Sequence, residues 1–304
     1  MIVGSYLYFA YLVPHEYQGY RMFVEMRMPD HGVPTEVRED PASAPIDLRP
    51  VFEQIEDRGT LRVCYRKDAL PFAFRNSEGE LVGFDVELAH ILAGDLGVGL
   101  EFVRVESGKM IDAVESGRCE MTASSIPMTP DITRRVAFTR SHLDETAAFL
   151  VPDHRRDEFS SRKAIKAHET LRVGMPDMSY YKKALASYLP QAEIVIMNSP
   201  RAFLKGEVDD LDAFLFSAEA GSAWTLVYPG FTVAIPKPDV VSIPLSHAVR
   251  RDDAEWQNYL DVWFDLKKKN GTIDELYRRW ILGQEAKQGG PRWCVIRDVL
   301  GWVD

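Results

Sequence analysis

Residues 61–105 read LRVCYRKDALPFAFRNSEGELVGFDVELAHILAGDLGVGLEFVRV. The first five residues alternate apolar and polar, the period of a strand in a sheet. Pro71 and the run Asn76-Ser77-Glu78-Gly79 then mark a loop with a turn. From Phe84 the period changes: Phe84, Leu88, Ile91 and Leu92 fall at helical spacing, and Gly94 and Gly97 offer a stop. LEFVRV (100–105) is the next strand, IDAVESG (111–117) a short helix, and EMTASS (120–125) a strand that ends in hydroxyls. A strand-helix-strand-helix-strand order with right-handed crossovers implies a largely parallel sheet covered by helices.

The rhythm then restarts. AAFLVPD (147–153) and LRVGM (171–175) predict strands, YYKKALASYL (180–189) a helix, AEIVIM (192–197) a strand, PRAFLKGEV (200–208) a helix and LDAFLFS (211–217) a strand. Two such units imply an α/β protein of two lobes that face each other, with any ligand beyond the carboxyl ends of the strands. VVSIPLSHAV (240–249) adds a strand. Two helices broken at Gly271 follow, with Trp256, Tyr259, Leu260, Trp263, Phe264 and Leu266 on one stripe and Ile273, Leu276, Tyr277 and Trp280 on the next. That stripe is expected to be core rather than a stacking platform.

At 304 residues the chain has material for two domains, and its net charge of −10 argues against a nucleic-acid partner. Cys64, Cys119 and Cys294 lie far apart with no C-x-x-C spacing and no nearby histidine cluster, so neither zinc nor a disulfide framework is signalled and the compartment stays open. No metal or cofactor is expected. MIVGSYLYFAYLV (1–13) is apolar but too short to span a bilayer, and it lacks the basic flank of a secretory signal. It is expected to be a buried strand or helix start; the alternatives are the stub of a membrane segment or the start of a domain cut from a longer polypeptide.

The 61–103 segment, TASSIPMTP (122–130) and KKKNGTIDELYRRWILG (267–283) together resemble the amino-acid-type extracytoplasmic solute-binding proteins, family 3. That resemblance implies the two-lobed periplasmic-binding-protein-like fold (type II), its lobes joined by two crossing hinge strands near Thr146–Phe149 and Ser242–Leu245. It divides the chain into an extension over 1–56, a first lobe over 57–147 and 243–283, a second lobe over 148–242 and a tail over 284–304. The flanks, AEAGSAWTLVYPGFTV with LYRRWILGQEAK and PRWCVIRDVLGWVD, are similar to binding domains fused to the carboxyl end of cation:dicarboxylate symporter-like proteins. This implies a periplasmic or extracytoplasmic site, tethered through a longer polypeptide, with a membrane transporter or sensor as partner.

The resembled amino-acid binders hold the ligand carboxylate with an arginine and two hydroxyls, for which bidentate guanidinium geometry suits. Here Ser125 keeps one hydroxyl, but Pro127 stands at the second and Ile132 at the arginine. Arg134 and Arg135 are out of register and are expected to be exposed helix charges. The aspartate that meets the ammonium is replaced by Ser217, with Glu219 two residues on; Asp212 is expected to be structural. Ala69 stands where a stacking aromatic belongs, with Phe72 and Phe74 close by, and the second-lobe binding turn reads Met178-Ser179-Tyr180.

Burying a zwitterion without counter-charges would cost several kcal/mol. The expected function is therefore a non-catalytic receptor that closes over a small polar or carboxylate-bearing molecule other than an ordinary α-amino acid. Its ligand contacts are expected from Phe72, Ser124, Ser125, Thr129, Ser179, Tyr180, Ser217 and Glu219, with Thr129 and Pro130 opening a helix whose free N–H groups face an anion. Capping is the simpler role for Thr129. Two alternatives are an enzyme on the same scaffold, similar to prephenate or arogenate dehydratases and with Glu219 as its acid or base, and a degenerate interaction domain. His90 and His142 invite attention, but His90 rides mid-helix and is expected to be a packed or surface histidine.

Overall fold

The computed structural model describes residues 23–40, 45–124, 126–176, 179–284 and 294–301. The apolar segment 1–13 lies outside them. The first lobe carries strands β1 (Thr35–Arg38), β2 (Thr60–Arg66), the hairpin of β3 (Phe74–Arg75) and β4 (Leu81–Val82), then β5 (Gly99–Val105), β6 (Met121–Thr122), β7 (Ile126–Pro127) and β8 (Ala137–Phe138). The long β9 (Leu143–Pro152) leads to β10 (Leu171–Met175), β11 (Ala192–Ile196), β12 (Ala213–Ser217) and β13 (Phe231–Ala234), and the chain returns through β14 (Ser242–Ser246) to β15 (Ala248–Val249).

One sheet has the order β1-β5-β2-β6-β15-β8 and the other β11-β10-β12-β9-β14-β7, with β13 also on β9. β2 runs parallel to β5 and β6, and β10 runs parallel to β11 and β12. The first half of β9 pairs antiparallel with β14, from Leu143↔Leu245 to Thr146↔Ser242. Its second half pairs with β12 and β13. Thus β9 and β14 cross between the lobes as one antiparallel ribbon.

Local chemistry fixes the first lobe's helix. Phe84–Leu96 ends at Gly97 in the left-handed region, φ 70°, whose N–H closes the last turn. It begins after Gly83 at φ 136°, where a Cβ would lie 2.4 Å from the Phe72 carbonyl oxygen. Only glycine lets the loop carrying Phe72 approach the helix start this closely.

Of the stretch expected as an extension, the described residues 23–40 and 45–56 pack on the first lobe: β1 pairs in parallel with β5, Phe23 stacks on Phe74 with ring centroids 4.7 Å apart, and the Val51 N–H donates to Asp253 Oδ2 at 2.7 Å. At the other end, the Cys294 thiol donates to the Ile281 carbonyl, and Cys294–Ile296 pack in the same core as Trp224 of the second lobe. Trp256, Trp263, Phe264 and Trp280 are buried as the stripe predicts. The indole N–H groups of Trp256, Trp263 and Trp280 donate to Glu120 O, Asp95 Oδ2 and Glu87 Oε2. Leu266 is instead 57% exposed, because it lies one turn after Val262, itself 61% exposed, on the solvent face of the helix.

The cysteine spacing misled. Cys64 in β2 and Cys119 just before β6 form a disulfide with Cα atoms 5.6 Å apart. Their strands are neighbours in the sheet although 55 residues separate them in sequence. Asp212 is structural: it pairs with Arg155 at 2.9 Å and accepts the Arg172 N–H.

Candidate binding cleft

Between the lobes, on one side of the hinge ribbon, lies a cleft of about 560 Å³. Its first-lobe wall is largely apolar, with Leu70, Phe72, Met110, Ile111 and Ile126. Phe149, Leu185, Met197, Leu215 and Phe216 form the opposite side, and Ala147, Val241 and Ile243 of the hinge region contribute to the floor.

A polar nest of Arg66, Ser124, Glu145 and Ser217 interrupts this surface, and Arg135, Tyr188, Asn198 and Asp239 add further polar groups to the lining. Arg66 ends β2, and its backbone N–H donates to Ser124 Oγ at 3.2 Å. Ser124 has φ 95°, an uncommon conformation for a residue with a side chain, and its own N–H donates to Asp85 Oδ2 at 2.7 Å. The two bonds hold a strained residue at the cleft wall. Ser217 is the N-cap of helix Ala218–Val227: its Oγ accepts the Ala220 N–H at 3.1 Å and donates to Glu145 Oε1 at 2.6 Å.

Glu145 was not singled out in the sequence. It lies within the hinge strand β9 and is buried; burial first, then the nearby Glu219 carboxyl, push its carboxyl well above the ordinary range, against the pull of Ser217 and Arg66. Burial lowers the Arg66 guanidinium, while Glu145 and Asp85 counteract that. The nest is therefore a guanidinium beside a carboxyl that favours its neutral form.

The remaining expected positions are dispersed. Phe72, Ser124 and Ser217 line the cleft. Glu219 does not: it lies in the first turn of helix Ala218–Val227, buried, with Oε2 accepting the Thr146 N–H at 2.9 Å. It braces the hinge strand rather than facing a ligand, and burial raises its carboxyl too. Thr129 opens no regular helix. A three-residue turn, Ile132–Arg134, takes its place, and Thr129 Oγ1 is buried without a hydrogen-bond partner among the described residues. A single turn has no aligned set of peptide dipoles, so the helix N-terminus expected there does not form.

Ser125 and Met178 lie outside the described residues; Ser179 and Tyr180 open the helix Ser179–Tyr188, but their side chains are outside the description. Ile132 and Pro127 both line the cleft. So does Arg135, expected as a plain exposed charge, but Asp112 and Glu115 hold its guanidinium. Phe74 turns away to stack on Phe23 and meet Trp280 edge-on. Beyond the cleft lining, Arg201 of the second lobe pairs with Asp68 of the first at 3.1 Å while lying over Trp224.

Two α/β lobes hinged on an antiparallel ribbon, with a cleft between them, define a protein that encloses small ligands. The chain belongs to the bacterial extracellular solute-binding proteins, family 3, whose profile matches residues 61–283. It is 23% identical over 226 residues to a putative ABC transporter arginine-binding protein 2 of Escherichia coli, covering 73% of this chain and 90% of that one. It is 22% identical over 231 residues to a cyclohexadienyl dehydratase of Pseudomonas aeruginosa, covering 76% and 85%. Among solved structures, an ancestral amino acid-binding protein described as a precursor of cyclohexadienyl dehydratase matches with TM-score 0.67 and 28% identity, over 76% of this chain and 99% of that one. The fold is the two-lobed type II arrangement of periplasmic binding proteins. Among the described residues no helix is long and apolar enough to cross a membrane.

Proposed function

We propose that this chain is an extracytoplasmic receptor domain that closes over a small carboxylate-bearing molecule with an apolar body, and that an ordinary α-amino acid is not its ligand. The carrying observation is the cleft lining: apolar walls around the nest of Arg66, Ser124, Glu145 and Ser217. A ligand carboxylate meets Arg66 and the two hydroxyls, while its hydrocarbon part displaces water from Phe72, Ile132, Phe149 and Phe216. An α-ammonium finds Ile132 and Ser217 where counter-charges would be needed, and a neutral Glu145 offers it a dipole instead of a charge. Closure follows because the nest draws on both lobes and the hinge, so only the closed state engages all of it. A membrane transporter or sensor then reads the closed shape, a reading supported by the ABC transporter relative.

A second reading is an enzyme. A buried carboxyl that retains its proton inside a cleft suits a general acid for a dehydration, and Glu145 fits that description better than Glu219. Incubation with prephenate and with arogenate tests it: saturable thermal stabilisation by carboxylates without product supports the receptor. Product formed by wild type and lost in Glu145→Gln overturns it. An absence of stabilisation by any amino acid, dicarboxylate, aromatic acid or branched-chain acid would favour a degenerate interaction domain.

A further inference from the structure

The roots of both hinge strands carry a histidine. His142 immediately precedes β9, and His247 immediately follows β14. The rings stack with centroids 4.6 Å apart and planes 10° from parallel. Asp85, near the start of helix Phe84–Leu96, brings Oδ1 to 3.8 Å from His247 Nε2. Donor atoms of the three side chains all lie within 4.8 Å of one another. All three residues are deeply buried, with exposures of 3% for His142 and 1% for each of the other two.

Two features distinguish this cluster from histidines that merely pack. His247 Nδ1 is 2.6 Å from the Thr122 carbonyl oxygen. That contact places the proton on Nδ1 and leaves the Nε2 lone pair on the side of Asp85, the way a backbone carbonyl orients a metal-ligating imidazole. In addition, His247 Nε2 and both ring nitrogens of His142 have no hydrogen-bond partner among the described residues. Buried polar atoms are rarely left so, and an orphaned nitrogen from each ring within 4.8 Å of a carboxylate oxygen points to a ligand that one nitrogen of each imidazole shares with Asp85.

We propose that Asp85, His142 and His247 bind a divalent transition cation of the Zn²⁺ kind. Two imidazoles and a carboxylate suit zinc, with a fourth position left for water. Metal–donor bonds of about 2.1 Å in a tetrahedron bring donors to about 3.4 Å from each other, so the cluster contracts slightly on binding. The adjustment falls on His142, which has no hydrogen bond to break and can turn out of the stack to aim a ring nitrogen at the ion. The site reaches the cleft through Asp85, whose Oδ2 holds the Ser124 N–H. Occupancy would therefore stiffen the root of the hinge and the wall of the cleft together, whatever the ligand is.

The test uses the full chain, free of affinity tag and stripped with chelator, titrated with Zn²⁺ alone by calorimetry and with Co²⁺ by absorption. A single saturable site, a tetrahedral cobalt spectrum and a raised melting temperature are expected. His142→Phe keeps a flat ring among Phe84, His247 and Phe264, on which His142 stacks. It should weaken binding roughly tenfold or more, with circular dichroism unchanged. Pulsed EPR of the Cu²⁺-loaded wild type tests the site even if that variant fails to fold: coupling to imidazole nitrogens from two histidines supports it. No saturable binding, unchanged affinity in His142→Phe, or a copper spectrum without two imidazoles overturns it.

Discussion

Cutting the Cys64–Cys119 link should cost the protein about 4 kcal/mol. The bond closes a loop across a sequence separation of 55. The entropy that such a closure removes from the unfolded chain comes to about 14 cal/mol/K, or roughly 4 kcal/mol at room temperature. Both cysteines are buried, so alanine substitutions would add cavity costs to the loop term. Wild type reduced under denaturing conditions and refolded in reductant removes the loop term alone. Urea unfolding followed by tryptophan fluorescence should show its midpoint lowered by roughly 1–2 M relative to the oxidised protein. Thiol titration of denatured, unreduced protein should find only Cys294 among the three cysteines. Three reactive thiols in protein exported to an oxidising compartment, or identical oxidised and reduced midpoints, would refute the reasoning. A disulfide also fits an extracytoplasmic location, since reducing compartments do not maintain one.

Glu145→Gln keeps an acceptor for Ser217 but cannot ionise. Because the folded-state carboxyl is raised, its contribution is fully present below the ordinary carboxylate pKa and is lost as pH rises through the raised value. Wild-type stability should thus fall across that window, and Glu145→Gln should flatten the decline in melts recorded from acid to mildly alkaline pH; an unchanged slope would show Glu145 to be ionised throughout. Gly83→Ala puts a Cβ into the Phe72 carbonyl and forces alanine to φ 136°, which should cost roughly 2–4 kcal/mol by urea unfolding. Ile132→Arg puts a charge on the wall where the ligand's apolar body is placed and should weaken binding of an apolar-bodied carboxylate in calorimetry; tighter binding would show that the apolar body lies elsewhere.

Much of the fold was legible because hydrophobic period is a local property. The alternation in LRVCY and the helical spacing from Phe84 each match the element formed, and the second lobe's strands and helices fall close to where their patterns place them. What pairs through space was not legible. Cys64 and Cys119 meet because β6 lies beside β2, and His142 meets His247 because β9 and β14 cross side by side. Glu145 escaped notice for the same reason: within the hinge strand nothing marks it, and it acquires meaning only beside Ser217 and Arg66. Thr129 failed in the opposite way. Thr-Pro-Asp is a sound helix-start signal, but the chain turns only once before β8 and never builds the helix.

The central claim is that the cleft selects an apolar-bodied carboxylate over an α-amino acid, and calorimetry on the full chain tests it with hydrocinnamate, isocaproate and arginine side by side. Saturable binding of at least one of the apolar acids is predicted, with a negative heat-capacity change, tightening as pH falls and Glu145 takes up its proton, and lost in Arg66→Met. Tight binding of arginine with no response to either apolar acid would contradict it.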